Sequence, residues 1–164
     1  MHFSRRLFML LCTMVWLIGV STAGAAPAKA PDLVLNTAQG KISLGKLQGQ
    51  VVYVDFWASW CAPCRKSFPW MNQMQQRYGN KGFKIIAVNV DSDQELAKKF
   101  LAEHQAGFTL AFDPQGEAAT AFNVKGMPNS YLIDRNGRIH SSHVGFREKD
   151  AAAMEAEIKA LIKQ

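Results

Sequence analysis

Cysteine is scarce in this chain: three residues among 164, one near the N-terminus and two only three positions apart. Three cannot build the dense bridging on which small secreted scaffolds depend. A second Cys-x-x-Cys is also missing, so a four-ligand structural zinc site would lack half its thiolates. There is no Lys/Arg-rich run or basic stripe, which removes the electrostatic footprint of nucleic-acid binding. Nor is there a succession of long apolar runs, which excludes a multi-span membrane protein. Repeats and internal linkers are absent too. What remains reads as one globular domain, 48% hydrophobic, 20% charged and 10% aromatic, a profile unlike that of a disordered chain. The formal charge of +6 includes Arg5 and Arg6; without them 17 basic residues face 13 acidic ones, and the excess is scattered.

Those two arginines precede an apolar run from Leu7 to Val20, followed by small residues. A charged head, a short apolar stretch and a small-x-small site make a secretory signal, here residues 1–25 with cleavage after Ala25. The alternative is an uncleaved membrane anchor, if the weakly apolar residues up to Ala26 extend the run. Cys12 lies inside this run after Leu11, where lipid modification would want a small residue, so it reads as a passive signal cysteine. The working domain is then residues 26–164, exported and periplasmic. There cysteines normally pair as structural bridges. Only Cys61 and Cys64 remain, and the loop they close is too small to constrain the unfolded chain much. Redox or metal chemistry explains the pair better than stapling.

Along the domain, Ala26–Pro31 reads as a tether and 32–44 as a β-hairpin. Val51–Trp57 is a nearly continuous β-branched and aromatic run suited to a strand buried on both faces. A helix follows near 62–78, with Pro69 expected to kink it. Phe83–Val90 is a second buried strand, and Ser92–Glu95 forms a capping box opening the next helix. Phe108–Phe112 reads as a short strand and Glu117–Phe122 as a helical turn or two. Asn136-Gly137 marks a hairpin between 130–134 and 138–144, and the tail is a helix with Met154, Ile158, Leu161 and Ile162 at core spacing. Strands joined through helices pair in parallel and the last hairpin adds antiparallel ones. The fold class is α/β: a mixed sheet flanked by helices.

The cysteine pair sits where a buried strand gives way to a helix. Free N–H groups and the helix dipole there favour a thiolate at Cys61, the attacking species in disulfide exchange. Cys64, one turn on, is placed to attack a mixed disulfide formed at Cys61. Pro63 stiffens the connecting dipeptide and suits a first helical turn. An inert buried pair and half a zinc site are the competing readings.

The run Val54-Asp55-Phe56-Trp57-Ala58-Ser59-Trp60-Cys61-Ala62-Pro63-Cys64 resembles the active-site strand and helix start of thioredoxins. The wider frame, from Pro31 through Gly40–Leu44 to Gly126-Met127-Pro128, is similar to the exported TlpA/ResA-like thiol–disulfide oxidoreductases. That resemblance implies a thioredoxin fold with an N-terminal β-hairpin and a central βα insertion. It implies that Pro128 is a cis-proline opposite the cysteines, freeing the Met127 backbone to pair with an extended substrate. It further implies that Asp55 relays the proton of Cys64, an acid in such an apolar run being costly unless protonated or used. Trp60 and Pro63 then belong to the substrate-facing rim, and Trp57 to the core. Cysteine-containing exported proteins, such as apocytochrome c or copper-centre proteins, are the implied substrates, and a membrane-embedded thiol donor the implied electron source. No cofactor and no metal is expected.

Two positions depart from the pattern. TlpA/ResA-like proteins commonly carry an acid where Ser67 stands, and thioredoxins pair their buried acid with a lysine where Ala87 stands. A second function class is a copper metallochaperone, though the thioredoxin-like ones use Cys-x-x-x-Cys with a downstream histidine. A peroxidase reading would want Thr at Ala58. His140 and His143, three apart on a strand, point to opposite faces and read as solvent-facing or packing histidines; His104 reads as a helix-flank residue.

Overall fold

The computed structural model describes residues 27–164. The signal or anchor expected over 1–25, including Cys12, lies outside them. Among the described residues no helix is long and apolar enough to cross a membrane.

Seven strands and four α-helices follow the expected order. They are β1 (Val34–Thr37), β2 (Gly40–Ser43), β3 (Val51–Trp57), α1 (Ala62–Tyr78), β4 (Phe83–Asn89), α2 (Gln94–Glu103), β5 (Thr109–Phe112), α3 (Glu117–Ala121), β6 (Asn129–Ile133), β7 (Ile139–Val144) and α4 (Ala151–Ile162). They form one sheet in the order β2-β1-β5-β4-β3-β6-β7. β3, β4 and β5 run parallel, while β6 and β7 join antiparallel beside β3. This is the mixed sheet of a thioredoxin fold. The insertion of β5 and α3 is what ties the N-terminal hairpin to the sheet, because β1 pairs with β5.

Every residue of β3 is buried, as its apolar pattern, broken only by Asp55, implies. Its odd-numbered residues Val51, Tyr53 and Trp57 share a core with Phe68, Met71 and Met74 of α1, Phe100 of α2, and Met154, Ile158 and Leu161 of α4. Its even-numbered residues Val52, Val54 and Phe56 pack on the other face with Leu35, Leu44, Ala118 and Phe122. The parallel strands thus end beneath the start of α1, which is where the cysteines lie.

Two local expectations change, at the α2 cap and at the tether. The α2 cap is Asp93, whose side chain accepts the Glu95 N–H at 2.9 Å, so the cap sits one residue beyond the expected Ser92. The expected β6–β7 hairpin is present, and residues 135–137 form its three-residue loop. Gly137 alone takes a positive φ of 75°, its N–H returns to the Asp134 carbonyl, and Asp134 Oδ1 accepts the N–H groups of Asn136 and Arg138. That side chain stabilises a type I turn with a bulge, the next most favoured hairpin geometry. The expected tether is bound: Ala30 donates to the Gly137 carbonyl and Ile139 to the Ala28 carbonyl, which fills a free stretch of the β7 edge. α1 is a single helix that includes Pro69.

Candidate active site

β3 delivers the chain to the site and α1 receives it. Between them, residues 58–60 are held by a buried carboxylate. Asp91 accepts the Ser59 N–H at 2.8 Å and the Ser59 hydroxyl at 3.0 Å, while Asn89 donates to it at 2.7 Å. The Val90 N–H closes the same turn on the Trp57 carbonyl at 3.0 Å. A loop so anchored presents the next residues in one conformation. Sequence reasoning missed Asp91 and Asn89; their only local signal was two polar residues closing an apolar strand.

Trp57 turns inward, its ring centroid 5.0 Å from Phe68 and 4.8 Å from Phe100, as expected of a core residue. Trp60 turns outward and is 67% exposed, which is costly for so large an apolar surface unless something covers it. Pro63 is also exposed.

Cys61 is the N-cap of α1, and its Sγ accepts the Cys64 N–H at 3.3 Å. Pro63 lies in the first helical turn, where a missing N–H costs nothing. The two cysteines form a disulfide with their Cα atoms 5.4 Å apart. They differ in access: Cys64 is wholly enclosed, whereas Cys61 keeps a 3% exposure. Ser67 is buried and donates to the Cys64 carbonyl at 3.1 Å, so it serves the helix backbone.

Asp55 is buried on β3, facing the same core as the two cysteines. It stands in register with Ala87 on one side and Ser130 on the other. Its Oδ2 is buried with no hydrogen-bond partner, and burial pushes the carboxyl well above the ordinary carboxylate range. Desolvation of an unpaired acid in this place favours its neutral form, which makes its ionised form a strong base for a nearby thiol. Ala87 does occupy the site directly opposite, so no lysine answers the acid from β4.

The Met127–Pro128 peptide is cis, and Met127 packs against the core cluster that contains both cysteines. The structure therefore brings Cys61, Cys64, Asp55, Met127 and Pro128 to one end of the sheet, with Trp60 and Pro63 at its surface. The histidines fall elsewhere: His140 is exposed, His143 turns towards α4, and His104 ends α2 against Phe100 with ring centroids 4.5 Å apart. Among the described residues no three His, Cys, Asp or Glu side chains are grouped to hold a metal ion.

A cysteine pair capping a helix at the end of a thioredoxin-type sheet defines a class, that of thiol–disulfide oxidoreductases. The chain belongs to the Redoxin family, whose model matches residues 25–162. It is 33% identical over 123 residues, 74% of this chain and 71% of the relative, to the thiol-disulfide oxidoreductase ResA of Bacillus cereus (strain ZK / E33L). The thiol:disulfide interchange protein DsbE of Chlorobium tepidum shares its fold with a TM-score of 0.81 at 54% identity, covering 83% of this chain and 96% of that one. A thioredoxin-family thiol:disulfide interchange protein of Chlorobium tepidum TLS matches with a TM-score of 0.74 at 28% identity, covering 85% and 99%. The chain is a disulfide oxidoreductase.

Proposed function

We propose that this chain is an exported protein-disulfide reductase working through Cys61 and Cys64. In the reduced protein the Cys61 thiolate attacks a substrate disulfide; a mixed disulfide forms and one substrate sulfur leaves. Cys64 then gives its proton to the ionised Asp55 carboxylate, attacks the Cys61 sulfur and releases the second substrate sulfur. The substrate gains two electrons, and the pair ends as the Cys61–Cys64 disulfide. A membrane-embedded thiol donor, reached outside the cytosol by virtue of the signal at 1–25, returns the electrons.

The observation that carries this reading is the buried, unpartnered Asp55 carboxyl on the core face shared with Cys64. An oxidant needs a stable Cys61 thiolate; a reductant also needs a base for Cys64, and Asp55 supplies one. The Met127 backbone beside cis-Pro128 offers an edge for an extended substrate segment, and Trp60 and Pro63 cover its apolar side chains. Substrates are cysteine pairs of other exported proteins, apocytochrome c and copper-centre proteins among them.

The test is a Cys64→Ser variant expressed with its signal intact. Covalent adducts through Cys61 with exported cysteine proteins are expected. Recovery of no adduct, with Cys61 still alkylated by a thiol reagent, overturns the reading.

A further inference from the structure

Residues paired across neighbouring strands share a face of the sheet, with their Cβ atoms about 5 Å apart. Asp55 pairs with Ser130 of β6, and Ser130 pairs with His143 of β7. These three side chains make one lateral row, running from the buried carboxyl to the edge of the sheet in two strand spacings, about 10 Å. At the edge the row is closed by α4: His143 Nε2 lies 3.1 Å from Glu157 Oε2, and Ser141 donates to the same oxygen at 2.5 Å. Ser130 is buried, whereas His143 and Glu157 are partly open to solvent. In the other direction the row ends at once, because Ala87 and then Leu110 follow on β4 and β5.

We propose that Ser130, His143 and Glu157 are the proton exit of this site, carrying the proton that Asp55 takes from Cys64 to water at the β7 edge. The inference rests on Asp55 acting as the relay for Cys64. In the step, the Cys64 S–H breaks and an Asp55 O–H forms; after the Cys61–Cys64 bond closes, that O–H breaks. The Ser130 hydroxyl accepts the proton while giving up its own to the imidazole of His143, which returns it to solvent beside Glu157. No electrons move in this branch, and each relay group recovers its starting state.

The polar surroundings fit. Tyr53, on the same face of β3, is buried with its hydroxyl held neutral by desolvation first and by the charge of Asp55 second, with Ser130 opposing and Glu157 adding to the shift. Its hydroxyl thus senses both ends of the row. Cys64 and Ser67 of α1 also lie over this face, the latter committed to the Cys64 carbonyl. Of the other charged residues on α4, Glu155 accepts from Tyr78 and pairs with Arg77, and Lys159 pairs with Glu155. Without a lysine at Ala87, the β6–β7 side is the polar way out. His143, Ser130 and Glu157 act through Asp55 and are positioning residues.

The test follows decay of the mixed disulfide in single-turnover reduction of a disulfide peptide by the reduced full chain, from pH 5 to 9. Ser130→Ala and His143→Ala are expected to slow decay about fivefold near pH 7, and added imidazole to restore His143→Ala but not Asp55→Asn. His140→Ala, exposed and outside the row, decays at the native rate. Glu157→Gln, which keeps the shape at the edge, is the companion if His143→Ala folds poorly, and the same slowing is expected of it. Native decay in Ser130→Ala and in either edge variant overturns the route, as does slowing of His143→Ala that imidazole leaves unchanged. Slow Asp55→Asn alone then leaves the relay reading standing; native decay of Asp55→Asn removes that reading and the route with it.

Discussion

The sulfur of Cys61 accepts the N–H of Cys64 at 3.3 Å, so a redox atom serves as the N-cap of α1. A side-chain cap normally offers oxygen to the orphan N–H groups of the first turn. Here a thiolate takes that place on reduction, with the helix dipole favouring its charge. Cys64, wholly enclosed, has no such access. Alkylation of the reduced protein by iodoacetamide is therefore expected to modify Cys61 at least about tenfold faster than Cys64. Peptide mapping by mass spectrometry reads the ratio; equal rates would contradict the assignment.

Asp55 gives a pH signature. Burial raises its pKa well above that of an unfolded aspartate, near 4. Between those two values the folded protein holds a proton that the unfolded chain has lost, so stability falls as pH rises. The contribution is complete below the unfolded value and lost as pH climbs through the folded one. Asp55→Asn removes the dependence. Urea denaturation across pH is expected to show the variant more stable than the native protein at neutral pH, with the gap closing towards pH 4. Mixed-disulfide resolution in the same variant should fall at least about tenfold.

Asp91 holds the approach to Cys61. Asp91→Ala strands two donors on Ser59 and one on Asn89, and should cost about 2–4 kcal/mol. Asp91→Asn keeps the shape and some acceptors and should cost less. Thermal denaturation of the two variants checks the order.

Trp60 faces solvent, so Trp60→Ala should leave stability within about 0.5 kcal/mol. Reduction of insulin should slow about fivefold, the scale of one lost interface anchor, while reduction of a small aromatic disulfide stays near native. Equal losses on both substrates would remove Trp60 from the protein-binding rim.

The parts of the molecule governed by local pattern were legible in the chain itself. β3 shows in a run of seven residues of which all but Asp55 are of buried type, and α1 in a helix start with proline in its first turn and apolar residues at core spacing. The cysteines, Asp55 and the cis-Pro128 loop were legible through their motifs. The β6–β7 hairpin was legible at Asn136-Gly137, while its turn type is set by the Asp134 side chain. Asp91 and the row from Ser130 to His143 were hidden for another reason. They exist only once strands far apart in sequence fall into register, and nothing local records that Ser130 will stand between Asp55 and His143.

The reduction potential of the Cys61–Cys64 pair, measured by equilibration with glutathione, tests the reductase reading most directly. A base for Cys64 and a lasting preference for the oxidised pair should place it close to that of thioredoxin, about −270 mV. A value close to that of the strong oxidant DsbA, about −120 mV, would make the chain a disulfide donor and contradict it.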